Sequence, residues 1–363
     1  LKTIGAGGPY TLSVLGDGTR ELKDVMLGEV WLCSGQSNME WTPMHGIDNS
    51  EEEVAAANYP NIRFFHIPKR GAATPQNNCE ASWAPCTPDR MKSTSAIAYF
   101  FGRDLQKDLN VPVGLIVSAW GGTPAEVWVP EEQVMNNSRI RDVMPDKTYP
   151  WWPVEPGVLY NQMISPVVPY ALAGAIWYQG ESNRDHPDSY GILLKTMVES
   201  WRKSFKKDFP FYLVQIAPFT YNAGDNGAAL VREHQEWVAR TVPGAGMVAV
   251  SDCVADVKNI HPTDKQSVGQ RLANMALGKI YGRLDSGYES PLFESMTIDK
   301  NKAVISFLHA GNGLMCKDKE ITGFMIAGED GVFVPAKVRI KDNTVVVTSS
   351  KVKKPVVVHY CFD

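Results

Sequence analysis

The sequence predicts an α/β fold, a parallel sheet covered by helices on both faces, with all-β segments at either end. Three observations predict it. Short apolar runs recur through the middle of the chain and alternate with longer stretches whose apolar residues fall at helical spacing. Those short runs are apolar almost throughout, as strands buried on both faces are. Before about residue 28 and after about residue 290 the pattern turns to short strands broken by Gly, Asn and Asp turns.

In order, residues 1–27 ("LKTIGAGGPYTLSVLGDGT" onward) read as the remnant of a β-module that begins further upstream. Strand candidates follow in "EVWLCS", "VPVGLIVSAW", "LAGAIWYQ", "FPFYLVQIA" and "GMVAVSD". Helix candidates are "TSAIAYFFGRDLQKDL", "SYGILLKTMVESWRKSF", "ALVREHQEWVARTV" and "KQSVGQRLANMALGKIYG". Strands alternating with helices argue for a sheet between two helical layers. The expected α/β domain is residues 28–285, and a second β-module occupies 290–363. A length of 363 residues suggests about two domains.

With 44% hydrophobic and 21% charged residues the chain can build a core, and disorder is not expected. The net charge of −4 leaves no basic footprint, which argues against a nucleic-acid partner. No apolar run is long enough to span a bilayer. No signal segment opens the sequence, and the expectation is a secreted or periplasmic protein whose signal lies outside this chain. The six cysteines form no CxxC pair and HExxH is absent, so no metal site and no cofactor are expected. Cys33 and Cys253 read as buried thiols. Cys79 and Cys86 flank one Trp-containing loop at a spacing that a local disulfide could close.

The polar clusters fall at strand ends. "EVWLCS" ends in Gly35-Gln36-Ser37-Asn38, "GLIVSAW" in Gly121-Gly122-Thr123, and "GAIWYQ" in Gly180-Glu181-Ser182-Asn183. "MVAVSD" leads to the loop "CVADVKNIHPTDK", which holds His261. In open α/β sheets, ligands bind in the crevice outside the carboxyl ends of the strands. A serine needs a base to become a nucleophile, and His261 is the natural one for Ser37. The oxyanion needs fixed donors, which Ser37 N–H, a backbone N–H of Gly121-Gly122 and the Asn183 amide could supply. Singly, each has a plain structural use as a cap, a turn or a strand stop. Together at successive strand ends they point to acyl transfer. Gln36, Asn38, Trp41 and Glu181 are candidates for binding substrate. Trp120, Trp128, Trp151, Trp152 and Tyr178 are candidates for apolar walls or stacking surfaces.

The blocks "LGEVWLCSGQSNMEW", "VPVGLIVSAWGGTPAEVWVP", "LYNQMISPVVPYALAGAIWYQGESN", "FPFYLVQIAPF" and "NIHPTDKQSVGQRLA" resemble the sialate O-acetylesterase family, a branch of the SGNH hydrolases. The resemblance runs from about Gly28 to Leu284. It implies a flavodoxin-like three-layer domain, Ser37 as nucleophile, His261 as base, and Asn183 with Gly121 or Gly122 in the oxyanion hole. Many members carry an acid two residues before the histidine, where this chain has Asn259. Asn259 can orient an imidazole through its carbonyl oxygen but supplies no negative charge. Asp256 or Asp252 is the expected substitute, Asp256 first, and a Ser–His dyad is the alternative. The resemblance implies an esterase acting on an acetylated carbohydrate, foremost O-acetyl sialate. The rivals are an acetylxylan or other polysaccharide acetylesterase, and a carbohydrate-binding protein without catalysis. Neither natural substrate nor oligomeric state is fixed by sequence.

Overall fold

The computed structural model describes residues 4–144, 148–221, 225–316 and 320–362. Its early strands are β1 (Gly7–Leu15), β2 (Thr19–Leu27), β3 (Glu29–Gly35), β4 (Tyr59–His66), β5 (Trp83–Cys86), β6 (Val113–Ala119), β7 (Gly174–Tyr178), β8 (Phe211–Val214) and β9 (Ala245–Val248). β1 and β2 form an antiparallel hairpin. The other seven form one sheet in the order β5-β4-β6-β3-β7-β8-β9. It is parallel except at its edge, where β5 runs antiparallel to β4. Within this sheet the chain begins at the central strand β3, builds one side through β4, β5 and β6, then crosses to β7. That reversal opens a crevice beyond the carboxyl end of β3, between β6 and β7.

Alternation along β3 feeds two cores. Trp31 and Cys33 join one face with helix α1 (Ala96–Leu109), while Leu32 joins the other with helix α2 (Pro187–Phe205). Helix α3 (Gly227–Thr241) covers the second face beside α2, and helix α4 (Lys265–Lys279) covers the first beside α1. Trp31, Trp128, Trp177 and Trp201 are fully buried, and each such side chain contributes roughly 1.5–3 kcal/mol or more on leaving water. Burial also pushes the Cys33 thiol far above its ordinary pKa.

Two helix caps position the site. Ser95 Oγ accepts from Ala98 N at 3.1 Å, capping α1, and donates to Met39 O at 2.6 Å, which ties α1 to the turn after β3. Asp264 caps α4 by accepting from Ser267 N at 2.9 Å, which fixes where the preceding loop stops. Beyond α4 lie a four-stranded and a three-stranded antiparallel sheet, which share a separate apolar core around Ile305, Ile326 and Val347.

Three features differ from the sequence reading. β4 and β5 were not expected, because "YPNIRFFH" mixes polar and apolar residues and "WAPC" carries a proline. Both belong to the sheet's edge region, where one face meets solvent and a proline is tolerated. Cys79 and Cys86 are free thiols rather than a disulfide. Cys86 lies in the core under α1 with Sγ 3.8 Å from Ala57 O, whereas Cys79 packs against the core of the opposite face.

Candidate active site

Ser37 opens the one-turn helix Ser37–Glu40 directly after β3. Gly35 has φ 140°, and a Cβ there would sit 2.2 Å from Tyr178 O, so only glycine lets the strand turn this tightly. Gln36 is 3% exposed, and its Oε1 accepts from Gly180 N at 3.2 Å and Ser182 N at 3.3 Å. Ser182 Oγ donates to Gly122 O at 2.9 Å. Two side chains thus stitch together the turns after β3, β6 and β7.

His261 reaches this point from the loop before α4. Its Nε2 lies 2.9 Å from Ser37 Oγ, joining residues 224 positions apart. Trp41 stacks on the imidazole, centroids 4.0 Å apart and planes at 20°. Partial burial, with positive charge on Lys265 and at His45, pulls the His261 pKa down to about 4. The imidazole is therefore neutral over most of the pH range, and a neutral ring nitrogen can accept a proton. Ser34 is wholly buried inside β3, and Ser182 is engaged with Gly122, so Ser37 is the hydroxyl that meets the imidazole.

Of the expected donors, Ser37 N–H stands at the first helical position, where no intrahelical acceptor exists. Gly121 lies against Ser37, but its N–H donates to Glu40 Oε2 at 2.6 Å, and Glu40 also pairs with Lys69. Gly122, at φ 81°, packs under the Trp152 ring. Asn183 is 4% exposed, and its Oδ1 accepts from Ala125 N at 2.9 Å and Gln179 Nε2 at 2.6 Å. Its Nδ2 donates one hydrogen to Glu126 Oε2 at 2.9 Å, and its other amide hydrogen meets no acceptor among the described residues. Burial raises the pKa of Glu126, and its bond to Asn183 opposes that shift.

The candidate third members stand apart from the imidazole. Asp252 forks onto Arg271 at 2.7 and 2.6 Å. Asp256 Oδ1 accepts from Lys258 N at 2.9 Å, closing its own turn. Asn259 Oδ1 accepts from His261 N at 3.0 Å, so it holds the backbone rather than the ring. Among the described residues no carboxylate hydrogen-bonds to the His261 ring.

The expected substrate contacts divide. Trp41 covers the His261 ring, and its Nε1 donates to Gly46 O at 2.9 Å. Gln36, Asn38 and Glu181 are buried; Gln36 Oε1 accepts from the turn after β7 and Asn38 Nδ2 donates to Glu181 Oε1 at 2.7 Å, while the other Glu181 oxygen has no partner among the described residues. Trp128 and Tyr178 are core, while Trp151 is 72% exposed at the end of the row Tyr149–Trp152–Trp151. Sequence reasoning missed Glu126 and Lys265. The available signal was a charged residue within a few positions of each strand-end cluster or of the histidine, a weak one without contacts. No group of three or more His, Cys, Asp or Glu side chains gathers to hold a metal among the described residues.

A serine and a histidine paired at the carboxyl edge of a parallel sheet, within three layers, give the layout of an SGNH-type carbohydrate esterase. The chain belongs to the family described as carbohydrate esterase, sialic acid-specific acetylesterase, whose model matches residues 27–278. It is 32% identical over 345 residues to sialate O-acetylesterases of Pongo abelii and Homo sapiens. These alignments cover 85% of this chain but only 65% of either relative. Among solved structures, a carbohydrate acetylesterase from Xanthomonas citri is similar over the whole chain and 82% of its own, with TM-score 0.87 and 34% identity.

Proposed function

We propose that this protein is a serine esterase that removes O-acetyl groups from carbohydrates, O-acetyl sialate foremost. The observation that carries the reading is the 2.9 Å contact between Ser37 Oγ and His261 Nε2 at the carboxyl edge of the sheet. With the ring proton on Nδ1, Nε2 accepts the Ser37 proton as Oγ attacks the acetyl carbonyl carbon. The oxyanion is met by Ser37 N–H, the second Asn183 amide hydrogen and Gly121 N–H, from which Glu40 swings away. His261 then gives its proton to the departing sugar oxygen, leaving acetyl on Ser37. Water attacks that ester, its proton passes to His261, and the proton returns to Ser37 as acetate leaves. Depression of the His261 pKa, with no ring-bound carboxylate among the described residues, favours a dyad over a triad. No helix among the described residues is long and apolar enough to cross a membrane, and a secreted or periplasmic location is part of this proposal.

Acetate release from O-acetylated sialic acids, xylan and pectin by the wild type tests the reading. Release from sialates above the other two supports it. Preference for xylan or pectin makes the protein a polysaccharide acetylesterase, and release from none of the three, with the fold intact, makes it a binding protein.

A further inference from the structure

The side chain next to the nucleophile also grips the residue next to the base. Asn38 Nδ2 donates to Ile260 O at 3.0 Å and to Glu181 Oε1 at 2.7 Å, and Asn38 Oδ1 accepts from Lys265 Nζ at 2.6 Å. Asn38 is 0% exposed, Lys265 1% and Glu181 7%. An asparagine amide has one donor end and one acceptor end. Its donor end meets two acceptors and its acceptor end meets an ammonium, so a flipped amide would set like against like at all three contacts. Lys265 and Glu181 therefore fix the orientation in which Asn38 can hold Ile260. The second carboxylate oxygen of Glu181 is buried without a partner among the described residues, a costly arrangement for a group serving only the fold.

We propose that Lys265, acting through Asn38 with Glu181 as counter-charge, is a positioning residue that sets the register of His261 against Ser37. The inference rests on the roles given to Ser37 and His261 above. A triad acid supplies both ring orientation and negative charge. Here orientation comes from the clamped loop, held at Ile260 by Asn38 and at His261 N by Asn259, and from Trp41 on the ring face. The nearby fixed charge is positive. A neighbouring cation disfavours imidazolium and keeps the base unprotonated at lower pH. Lys265 on α4 and His45 on the turn after Trp41 act on the imidazole, and Glu181 and Asp264 act on Lys265. Burial lowers the Lys265 pKa to about 7, so it is charged through the acid range in which His261 titrates.

The test uses the full chain as Lys265→Met, Lys265→Met/Glu181→Gln and Lys265→Arg, with Ser37→Ala as control. The readouts are the pH profile of p-nitrophenyl acetate hydrolysis and an NMR titration of the His261 imidazole. Both Met variants should lose about 10–100-fold in kcat, the usual effect of slight misplacement, with KM little changed. In both, the acid limb and the imidazole titration should move to higher pH. Lys265→Arg should keep both near their wild-type positions. The double variant leaves no unpaired buried charge, so it reports function if Lys265→Met alone fails to fold. A folded double variant with wild-type kcat and an unmoved titration overturns the proposal. Full activity in Ser37→Ala would instead overturn the reading of the site, while the titration still decides the role of Lys265.

Discussion

Trp41 lies flat on the His261 imidazole, ring centroids 4.0 Å apart, on the ring face that a solvent-exposed base would leave to water. The contact orients the imidazole and desolvates it in one step. Desolvation disfavours imidazolium, which is the leading reason the His261 pKa falls to about 4. Trp41→Ala should therefore move the acid limb of kcat/KM to higher pH and lower kcat. Trp41→Phe, which keeps a ring face, should move the limb less. An unmoved limb in Trp41→Ala would show that the stack does not govern the base.

The wild-type profile follows from the same group. The proposed reaction needs neutral His261, so activity should be full above its pKa and be lost as pH falls through it. The acid limb should thus have its midpoint near 4 instead of at the ordinary histidine value. A rate profile measured from pH 3 to 8 checks this. A midpoint near 6.5 would mean that the imidazole is solvated in the working enzyme.

The proposed role of Asn183 and its structural one have separable readouts. On the proposed mechanism Asn183→Ala removes an oxyanion donor and should lower kcat by about 10²–10³, with KM little changed. It also strips the buried Glu126 carboxylate of its 2.9 Å partner, so thermal stability should fall. Asn183→Asp sets a second carboxylate against Glu126 and should be less stable still at neutral pH. A variant that changes only KM would make Asn183 a substrate contact.

The dyad is tested at three positions. Asp256 closes its own turn, so Asp256→Asn should keep near wild-type kcat. Asp252→Asn weakens the fork to Arg271 and should lower stability more than turnover. Asn259→Ala releases His261 N and should reduce kcat, whereas Asn259→Asp keeps an acceptor there and should not. A large kcat loss in a stably folded Asp252→Asn or Asp256→Asn would restore the triad.

The meeting of Ser37, Asn183 and His261 at one sheet edge was legible because each stands just past a strand or in a loop there, where short-range pattern suffices. The four long helices were legible from apolar spacing, and β3, β6, β7, β8 and β9 from unbroken apolar runs. β4 and β5 were not, since half-exposed strands near an edge lose that contrast. Asn38 read as a substrate contact because its partners Glu181, Ile260 and Lys265 lie 143, 222 and 227 positions away. Lys265 had no sequence signal of burial, because a lysine at the start of a helix ordinarily faces water. The expectation of a substitute acid rested on nearness along the loop, but the carboxylates of Asp252 and Asp256 turn to Arg271 and Lys258 instead.

The central claim is that Ser37 carries the acetyl group between the sugar and water. Intact-mass and peptide mass spectrometry on protein quenched during turnover of p-nitrophenyl acetate tests it most directly. The account predicts an added acetyl group on the peptide containing Ser37, absent in Ser37→Ala and formed far more slowly in His261→Ala. Full turnover with that serine never acetylated, or acetyl on Ser34 or Ser182 instead, would contradict it.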